Sequence, residues 1–311
     1  MRNADRTIVL LAAYNGLRFL PDQMASILAQ TDVEIDVYVS VDLSNDATWT
    51  WSQELSGSHD NVHVLPYGPR FGSAAANFYR LIREVDLSSA SFVAFADQDD
   101  RWFPGKLRRA VDEIRRTGAD GYSSNVYAWH ADDSRRLLRK VGPQRRWDHL
   151  FSSPGPGCTH VMTVASAIAL QDLVRSHEPA VQRVEYHDWL DYALVRARGG
   201  RWHMDPQPTM LYRQHESNQL GANVGVEAAR RRWDRLADGW YWTQVQEIAA
   251  LVGAEEELPI RLLRRQTPSS RLALAALAPR LRRDSRGALA VFASSIARRS
   301  TRPTPSGAVG K

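Results

Sequence analysis

The chain has 311 residues, 43% of them hydrophobic and 24% charged, a globular composition that excludes disordered and fibrous classes. That length holds one large catalytic domain, or one plus a smaller piece, and needs no disulfide or metal staple. The net charge of +5 is uneven: residues 226–311 carry 16 Lys+Arg against 8 Asp+Glu, so residues 1–225 are net −3.

The single cysteine, Cys158, excludes an intramolecular disulfide and a cysteine-only zinc site, and fits a reducing cytoplasm. No apolar run approaches the roughly 18 residues of a membrane span. Residues 1–5 lead into an apolar run without a signal-peptide cleavage pattern.

In chain order, residues 7–13 (TIVLLAA) read as a buried strand ending in the turn Tyr14-Asn15-Gly16. Residues 21–29 read as a helix, with Pro21 suited to its first turn. Residues 35–41 (IDVYVSV) read as a strand, and Asn45-Asp46 as the cap of a helix over 47–55. A short strand at 62–65 and a helix at 72–85 follow. Residues 92–96 (FVAFA) form another buried strand, which ends in Asp97-Gln98-Asp99-Asp100 before a helix at 104–115.

Strand and helix thus alternate four times. This predicts a parallel α/β sheet covered on both faces, with ligands at the carboxyl ends of its strands. Beyond residue 120 the pattern loosens. A loop is expected at 152–158, helices at 161–174 and 188–198, and a short strand at 201–204. From about residue 226 the chain reads as wholly helical and arginine-rich, with a frayed tail over 300–311.

Three carboxylates in four positions at a strand end repel one another unless a cation or hydrogen bonds neutralise them. Asp97, Asp99 and Asp100 therefore read as a site for Mg²⁺ or Mn²⁺ with a diphosphate, or as a solvated loop and helix cap. Asp42, just past a strand, reads as a ribose or base contact or as a turn residue. Asp46 and Thr48 read as turn and cap residues. Asp188 opens a helix, where it serves as a cap or as a general base. His215 reads as a structural histidine or a ligand. Trp102, Trp189 and Trp202 offer stacking faces for sugars or belong to the core.

Taken together, the motifs Ala13-Tyr14-Asn15-Gly16, Asp42-x-Ser44-x-Asp46-x-Thr48, Asp97-Gln98-Asp99-Asp100-x-Trp102, His187-Asp188-Trp189 and Tyr212-Arg213-Gln214-His215-x-x-Asn218-x-x-Gly221 resemble the inverting GT2 glycosyltransferases of GT-A fold. They are most similar to the bacterial rhamnosyltransferase-like branch, over roughly residues 6–223. Val41, Leu43 and Ala12 depart from the family's usual residues.

The resemblance implies an α/β, Rossmann-like nucleotide-diphospho-sugar transferase fold with a largely parallel central sheet and an α-helical C-terminal extension. Residues 1–125 would form the nucleotide-sugar half, 126–225 the acceptor half and 226–311 the extension. Ala13, Tyr14, Asn15, Asp42, Arg70, Asn77, Asp97 and Gln98 would bind the donor nucleotide. Asp100, Trp102, His187 and Trp189 would face the donor sugar or the acceptor. Asp97, Asp99 and His215 would hold Mg²⁺ or Mn²⁺, and Asp188 would be the catalytic base.

The implied donor is a nucleoside diphosphate sugar, dTDP-rhamnose before a UDP-sugar. The implied acceptor is a glycan or polyprenyl-linked glycan of cell-surface polysaccharide synthesis. The basic C-terminal helices read as peripheral contacts with the inner face of the membrane, as a solvated hairpin or as a homo-oligomer interface. Nucleotidyl transfer, which uses similar carboxylate-bound metal chemistry, leaves the His187–Trp189 and Tyr212–His215 blocks unexplained. A non-catalytic sugar-binding scaffold leaves the matched acids without a purpose. No nucleic-acid motif accompanies the basic end, which argues against a nucleic-acid partner. The absence of G-x-G-x-x-G after the first strand argues against a dinucleotide oxidoreductase.

Overall fold

The computed structural model describes residues 5–68, 70–215 and 239–297. Residues 226–238 and the expected tail at 300–311 lie outside them, as do the motif residues Asn218 and Gly221.

The amino-terminal half is a series of β/α units: β1 (Arg6–Ala13), α1 (Leu20–Leu28), β2 (Glu34–Val41), α2 (Thr48–Ser58), β3 (Val62–Val64), α3 (Ala74–Glu84), β4 (Phe92–Asp97), β5 (Arg101–Trp102) and α4 (Lys106–Thr117). Next come β6 (Gly121–Ser124), β7 (Val126–Trp129), β8 (Arg135–Leu138), β9 (Val161–Thr163), α5 (Val164–Ser176), α6 (Glu178–Val181), α7 (His187–Ala197), β10 (Trp202–Asp205) and β11 (Met210–Arg213). The described chain ends in helices α8 (Trp240–Leu251), α9 (Leu258–Arg265), α10 (Pro268–Ala276), α11 (Ala278–Leu281) and α12 (Ser285–Ala297).

Seven strands form the main sheet in the order β10-β6-β9-β4-β1-β2-β3. All pair in parallel except β9, which runs antiparallel to both β4 and β6. The pleat divides β1 between two cores. Ile8 and Leu10 pack on one face with Val93 and Phe95, while Val9 and Leu11 pack on the other with Ala94 and Ala96. Both faces being covered, the strands are continuous apolar runs rather than alternating ones, as the sequence suggested.

Several expectations need correcting. Residues 161–163 are the strand β9, not the start of a helix, and Thr163 instead caps α5 by accepting from the Ser166 amide. A three-residue strand carries no periodicity, so only its two partners reveal it. The Asn45-Asp46 pair does not cap α2 in the expected register: Ala47 is the N-cap and makes no side-chain bond, while Asp46 Oδ1 accepts from the Thr48 amide at 3.0 Å. A second sheet, β5-β11-β7-β8, was not foreseen. Its strands have two to four residues, and β8 (RRLL) is too short and too polar to announce itself.

The C-terminal helices belong to the first core. Trp242, Ile248, Leu263, Leu281 and Val291 share it with Leu10 and Phe95. The Tyr241 hydroxyl donates to the Phe151 carbonyl at 2.7 Å, and the Trp147 indole donates to Glu257 at 2.6 Å. These bonds pin the helical extension against the residues that border the site.

Candidate active site

A cleft of about 1520 Å³ runs along the carboxyl edge of the main sheet. It is bordered by the ends of β1, β2 and β4, by the start of α7, by residues after β8, and by the start of α12.

One end is assembled from strand termini. Gln98 clamps Tyr14 as a neighbouring strand would: its Oε1 accepts from the Tyr14 amide at 2.8 Å and its Nε2 donates to the Tyr14 carbonyl at 2.9 Å. Gly16 leaves room for this clamp: a Cβ there would lie 2.0 Å from Gln98 Oε1 and displace the Gln98 side chain. Asn15 takes a positive φ of 45° and accepts through its side chain from the Asn45 amide. The Asp42 carboxylate receives the amides of Leu43, Phe71 and Gly72 at 2.7 to 2.9 Å. It thereby holds the loop that brings exposed Arg70 to the cleft, and about one of its four acceptor positions remains for a ligand. Buried Asn77 ties the ends of β1 and β2 together by donating to the Ala13 and Ser40 carbonyls. Tyr14, Asn15, Asp42, Arg70, Asn77 and Gln98 thus border one end of the cleft, with Ala13 beside them. Gln98, Asn77 and Asp42 act there mainly as supports, by hydrogen bonds that spacing alone does not reveal.

The acidic cluster sits at mid-cleft. Asp97 is pushed up to about 7 by burial, with the Asp99 charge next and Asp188 a smaller contributor. Asp99 Oδ2 lies 2.6 Å from His215 Nε2, and the His215 ring stacks on Phe19 with centroids 4.8 Å apart. The structure therefore brings the predicted metal set of Asp97, Asp99 and His215 into one wall of the cleft. The neighbouring carboxylates repel and gain from a divalent cation; their oxygens suit Mn²⁺ or Mg²⁺, and the added imidazole favours Mn²⁺ of the two. Asp97, Asp100 and Cys158 also present ligand atoms within 4.8 Å of one another, and Asp100 Oδ2 is buried without a hydrogen-bond partner among the described residues.

Sequence reasoning assigned no role to three residues here. Arg213 locks the Tyr212–His215 segment to the acidic loop: its guanidinium donates to the Asp99 carbonyl at 2.7 Å and to Asp22 at 2.5 Å, while its amide donates to Asp100. Lys106 is buried, with its ammonium 3.6 Å from the centre of the Trp102 ring, and burial pushes it down to about 7. Cys158 lies between Asp97 and Asp100, where burial holds its thiol well above the usual range. The only sequence signal was the place of Arg213 inside the Tyr212–His215 motif. Lys106 and Cys158 reach the site by tertiary folding.

Two expected sugar contacts are relocated. Trp102 is 2% exposed, lies under Lys106 and does not border the cleft. Asp100 is fully buried and spends Oδ1 on the Arg213 amide. β5 turns Trp102 into the second sheet, and Asp100, just before β5, is held by the Arg213 amide of β11. Trp202 also belongs to the core, against Tyr192 and His160.

Asp188 faces the cleft in the first turn of α7, where the helix dipole favours a carboxylate. Burial nevertheless pushes it up to about 6, against opposing hydrogen bonds from Ser153 and the Trp189 amide. Gly157 makes room: a Cβ there would lie 2.5 Å from His187 Nε2 and 3.2 Å from Asp188 Cβ. His187 packs on Phe78 and is pushed down to about 3 by burial, so it stays neutral at physiological pH. Trp189 donates its indole N–H to the His149 carbonyl at 2.9 Å and stacks on Tyr241. Both border the cleft as packed walls.

A largely parallel sheet with paired acids at its carboxyl edge and a half-buried carboxylate facing them defines a GT-A-type sugar transferase. The fold agrees with solved structures. S. aureus TarS in complex with UDP-GlcNAc matches with a TM-score of 0.50 and 14% identity, over 94% of this chain and 88% of that one. Mannosyltransferase PcManGT from Pyrobaculum calidifontis, in complex with GDP-Man and Mn²⁺, matches with a TM-score of 0.51 and 13% identity, over 95% of this chain and 88% of that one. In sequence, the profile of glycosyl transferase family 2 matches residues 8–173. The dTDP-rhamnosyl transferase RfbG of Shigella flexneri is 38% identical over 77% of this chain and 83% of its own length. The glucosyltransferase WfgD of Escherichia coli, which acts on a GlcNAc-diphosphoundecaprenol, is 24% identical over 58% of this chain and 67% of its own. The chain belongs to glycosyl transferase family 2 and is an inverting glycosyltransferase that uses a nucleotide-sugar donor.

Proposed function

We propose that this enzyme transfers rhamnose from dTDP-rhamnose to a hydroxyl of a glycan or lipid-linked glycan in cell-surface polysaccharide synthesis. The 38% identity to a dTDP-rhamnosyl transferase supports the donor, with a UDP-sugar second. The observation that carries the mechanism is one cleft bordered by Asp97, Asp99 and His215 at its middle and by Asp188 beside them.

Asp188 accepts the proton of the acceptor hydroxyl as that oxygen attacks the anomeric carbon, and the C–O bond to the diphosphate breaks on the opposite face. Burial raises Asp188 toward the proton affinity a base needs, yet leaves it ionised at pH 7.5. Asp97, Asp99 and His215 would hold a divalent cation, which when bound offsets charge on the departing diphosphate. Tyr14, Asn15, Asp42 and Arg70 would frame the nucleotide, and His187 and Trp189 the acceptor side. In this reading residues 1–125 serve the donor, 126–225 the acceptor, and the C-terminal helices rest peripherally on the inner membrane face. No helix among the described residues is long and apolar enough to cross a membrane.

The test is thermal shift and donor hydrolysis with Mn²⁺ or Mg²⁺ against dTDP-rhamnose, UDP-glucose, UDP-galactose, UDP-N-acetylglucosamine and GDP-mannose. The reading expects dTDP-rhamnose alone to stabilise the protein, and only with metal. Asp99→Ala removes that shift, and Asp188→Ala keeps it but loses turnover. Stabilisation by no donor under any metal condition refutes the reading.

A further inference from the structure

Residues 147–153 reach Asp188 through the Ser153 hydroxyl and hold only one short turn of their own, the 3₁₀ turn Asp148–Leu150. Two other parts of the chain fix this segment. From α7, the Trp189 indole donates to the His149 carbonyl at 2.9 Å, and the Tyr192 hydroxyl lies 3.1 and 3.0 Å from the two Asp148 oxygens. From the C-terminal extension, Arg282 donates to the Phe151 carbonyl at 2.9 Å, as the Tyr241 hydroxyl does at 2.7 Å. Arg283 makes a double contact: it donates to Asp148 at 2.8 Å and to the Ser153 carbonyl.

Asp148 is fully buried, and the Arg283 side chain is only 9% exposed. A buried carboxylate is costly without a cation, so the two have to be buried as a pair. Arg196 of α7, 3.4 Å from Asp148, is a more distant second cation. Asp148 therefore bridges Arg283 to Tyr192, one helical turn beyond Asp188. At the other end of the segment the Ser153 hydroxyl has one proton and two acceptors. They are the Gly155 carbonyl at 2.7 Å and the carboxylate of Asp188, whose ionised form that bond favours. Where the Ser153 backbone is held decides how much of that proton the base receives. The other titratable groups facing Asp188 come from elsewhere: Asp97 at the end of β4, Tyr79 of α3, Asp191 and neutral His187 of α7, and Lys140 after β8.

We propose that Arg283 is a positioning residue for the base: by holding Asp148 and the Ser153 carbonyl together, it keeps the Ser153 hydroxyl aimed at Asp188. The inference rests on the glycosyltransferase reading, with Asp188 as base. It gives the C-terminal extension, which lies beyond the family profile at residues 8–173, a part in the chemistry.

The experiment is a pH profile of kcat between 5 and 9 for hydrolysis of dTDP-rhamnose with Mn²⁺, where water replaces the acceptor hydroxyl. The wild type should lose rate as pH falls through about 6. Arg283→Met should move that acid limb up by about one pH unit, the order of one hydrogen bond to a carboxylate, and leave donor KM within about twofold. The loss in kcat is then largest below pH 7 and nearly gone by pH 9. Arg283→Lys, which keeps the cation without the fork, should recover part of the shift. Ser153→Ala should move the limb as far as Arg283→Met does, and the two substitutions together should move it no further. An unmoved limb in Arg283→Met, or a loss in kcat equal at every pH, overturns the proposal by making Arg283 structural. A larger shift in the double variant overturns it too, by making the arginine charge act through space. A limb unmoved by Ser153→Ala also overturns it, and this arm decides the matter if Arg283→Met does not fold. No hydrolysis by the wild type, or an acid limb that survives in Asp188→Asn, fails the reading of Asp188 as base, so the two failures are distinct.

Discussion

The two ends of the cleft are built by different rules. At the donor end, short loops leave parallel strands and are fixed by their own backbone. Gln98 clamps Tyr14, Asp42 gathers the Leu43, Phe71 and Gly72 amides, and Asn77 joins two strand ends. At the other end, proposed for the acceptor, β8, the loop around Gly157, α7 and α12 border the cleft from distant parts of the chain. The first end is rigid before any ligand arrives. The second is lined by charged side chains from separate segments, half-buried Asp188 among them. On the proposed assignment of the two ends, shape would govern donor recognition and charge the acceptor side.

The sharpest break in this contrast is Asp188→Asn. It should lower kcat by about 10²- to 10⁴-fold, the usual worth of a general base, and leave donor KM within about twofold. Wild-type kcat should also fall as pH drops through about 6, because the Asp188 carboxyl, raised by burial, takes up a proton and stops accepting one. A pH-rate profile flat between 5 and 8 would exclude Asp188 as the base.

At mid-cleft, His215→Ala removes one of the three groups proposed to hold the cation and should weaken Mn²⁺ binding by at least the roughly 10- to 100-fold that losing even a supporting partner costs. Titration by calorimetry reads this directly, and unchanged affinity would make the 2.6 Å contact with Asp99 merely structural.

At the donor end, Gly16→Ala should break both Tyr14–Gln98 bonds and raise donor KM by about tenfold, a loss on the order of two hydrogen bonds. Acceptor KM should stay level, and a matching rise in it would erase the distinction between the ends.

The smallest effect is on stability. A carboxyl raised from 3.8 to about 6 favours folding below the lower value and loses that contribution as pH rises through the upper one. At pH 7.5 the buried charge therefore opposes folding, by on the order of 1–3 kcal/mol. Asp188→Asn should raise Tm by a few degrees at pH 7.5 and by little at pH 4. An equal change at both values would show that packing, not charge, sets the difference.

Much of the donor end was legible in the sequence. Residues 7–13 and 92–96 are apolar runs too short for helices, and each stops at a polar turn, so strand ends and the acids just past them could be placed. The acidic cluster was legible for a chemical reason: adjacent carboxylates are costly without a cation. The expected metal set at mid-cleft and Asp188 beside it are brought together as the motifs implied. Trp102 was misplaced because the two residues of β5 carry no periodicity and only pairing with β11 turns its side chain inward, and Asp100 because its place is set by the distant Arg213 amide.

By itself, the sequence determined the order of the first strands and helices, the parallel sense of the sheet, and the chemical types at the cleft. These follow from local periodicity and from charge repulsion, both readable within a few residues. Only the tertiary structure decided that β9 runs antiparallel inside the sheet, that Arg213 locks the histidine segment to the acidic loop, and that α12 borders the same cleft as the ends of β1, β2 and β4. Those outcomes depend on contacts between segments tens to more than a hundred residues apart. Their free energy comes from burying shared surface and satisfying backbone groups, terms that no local pattern encodes.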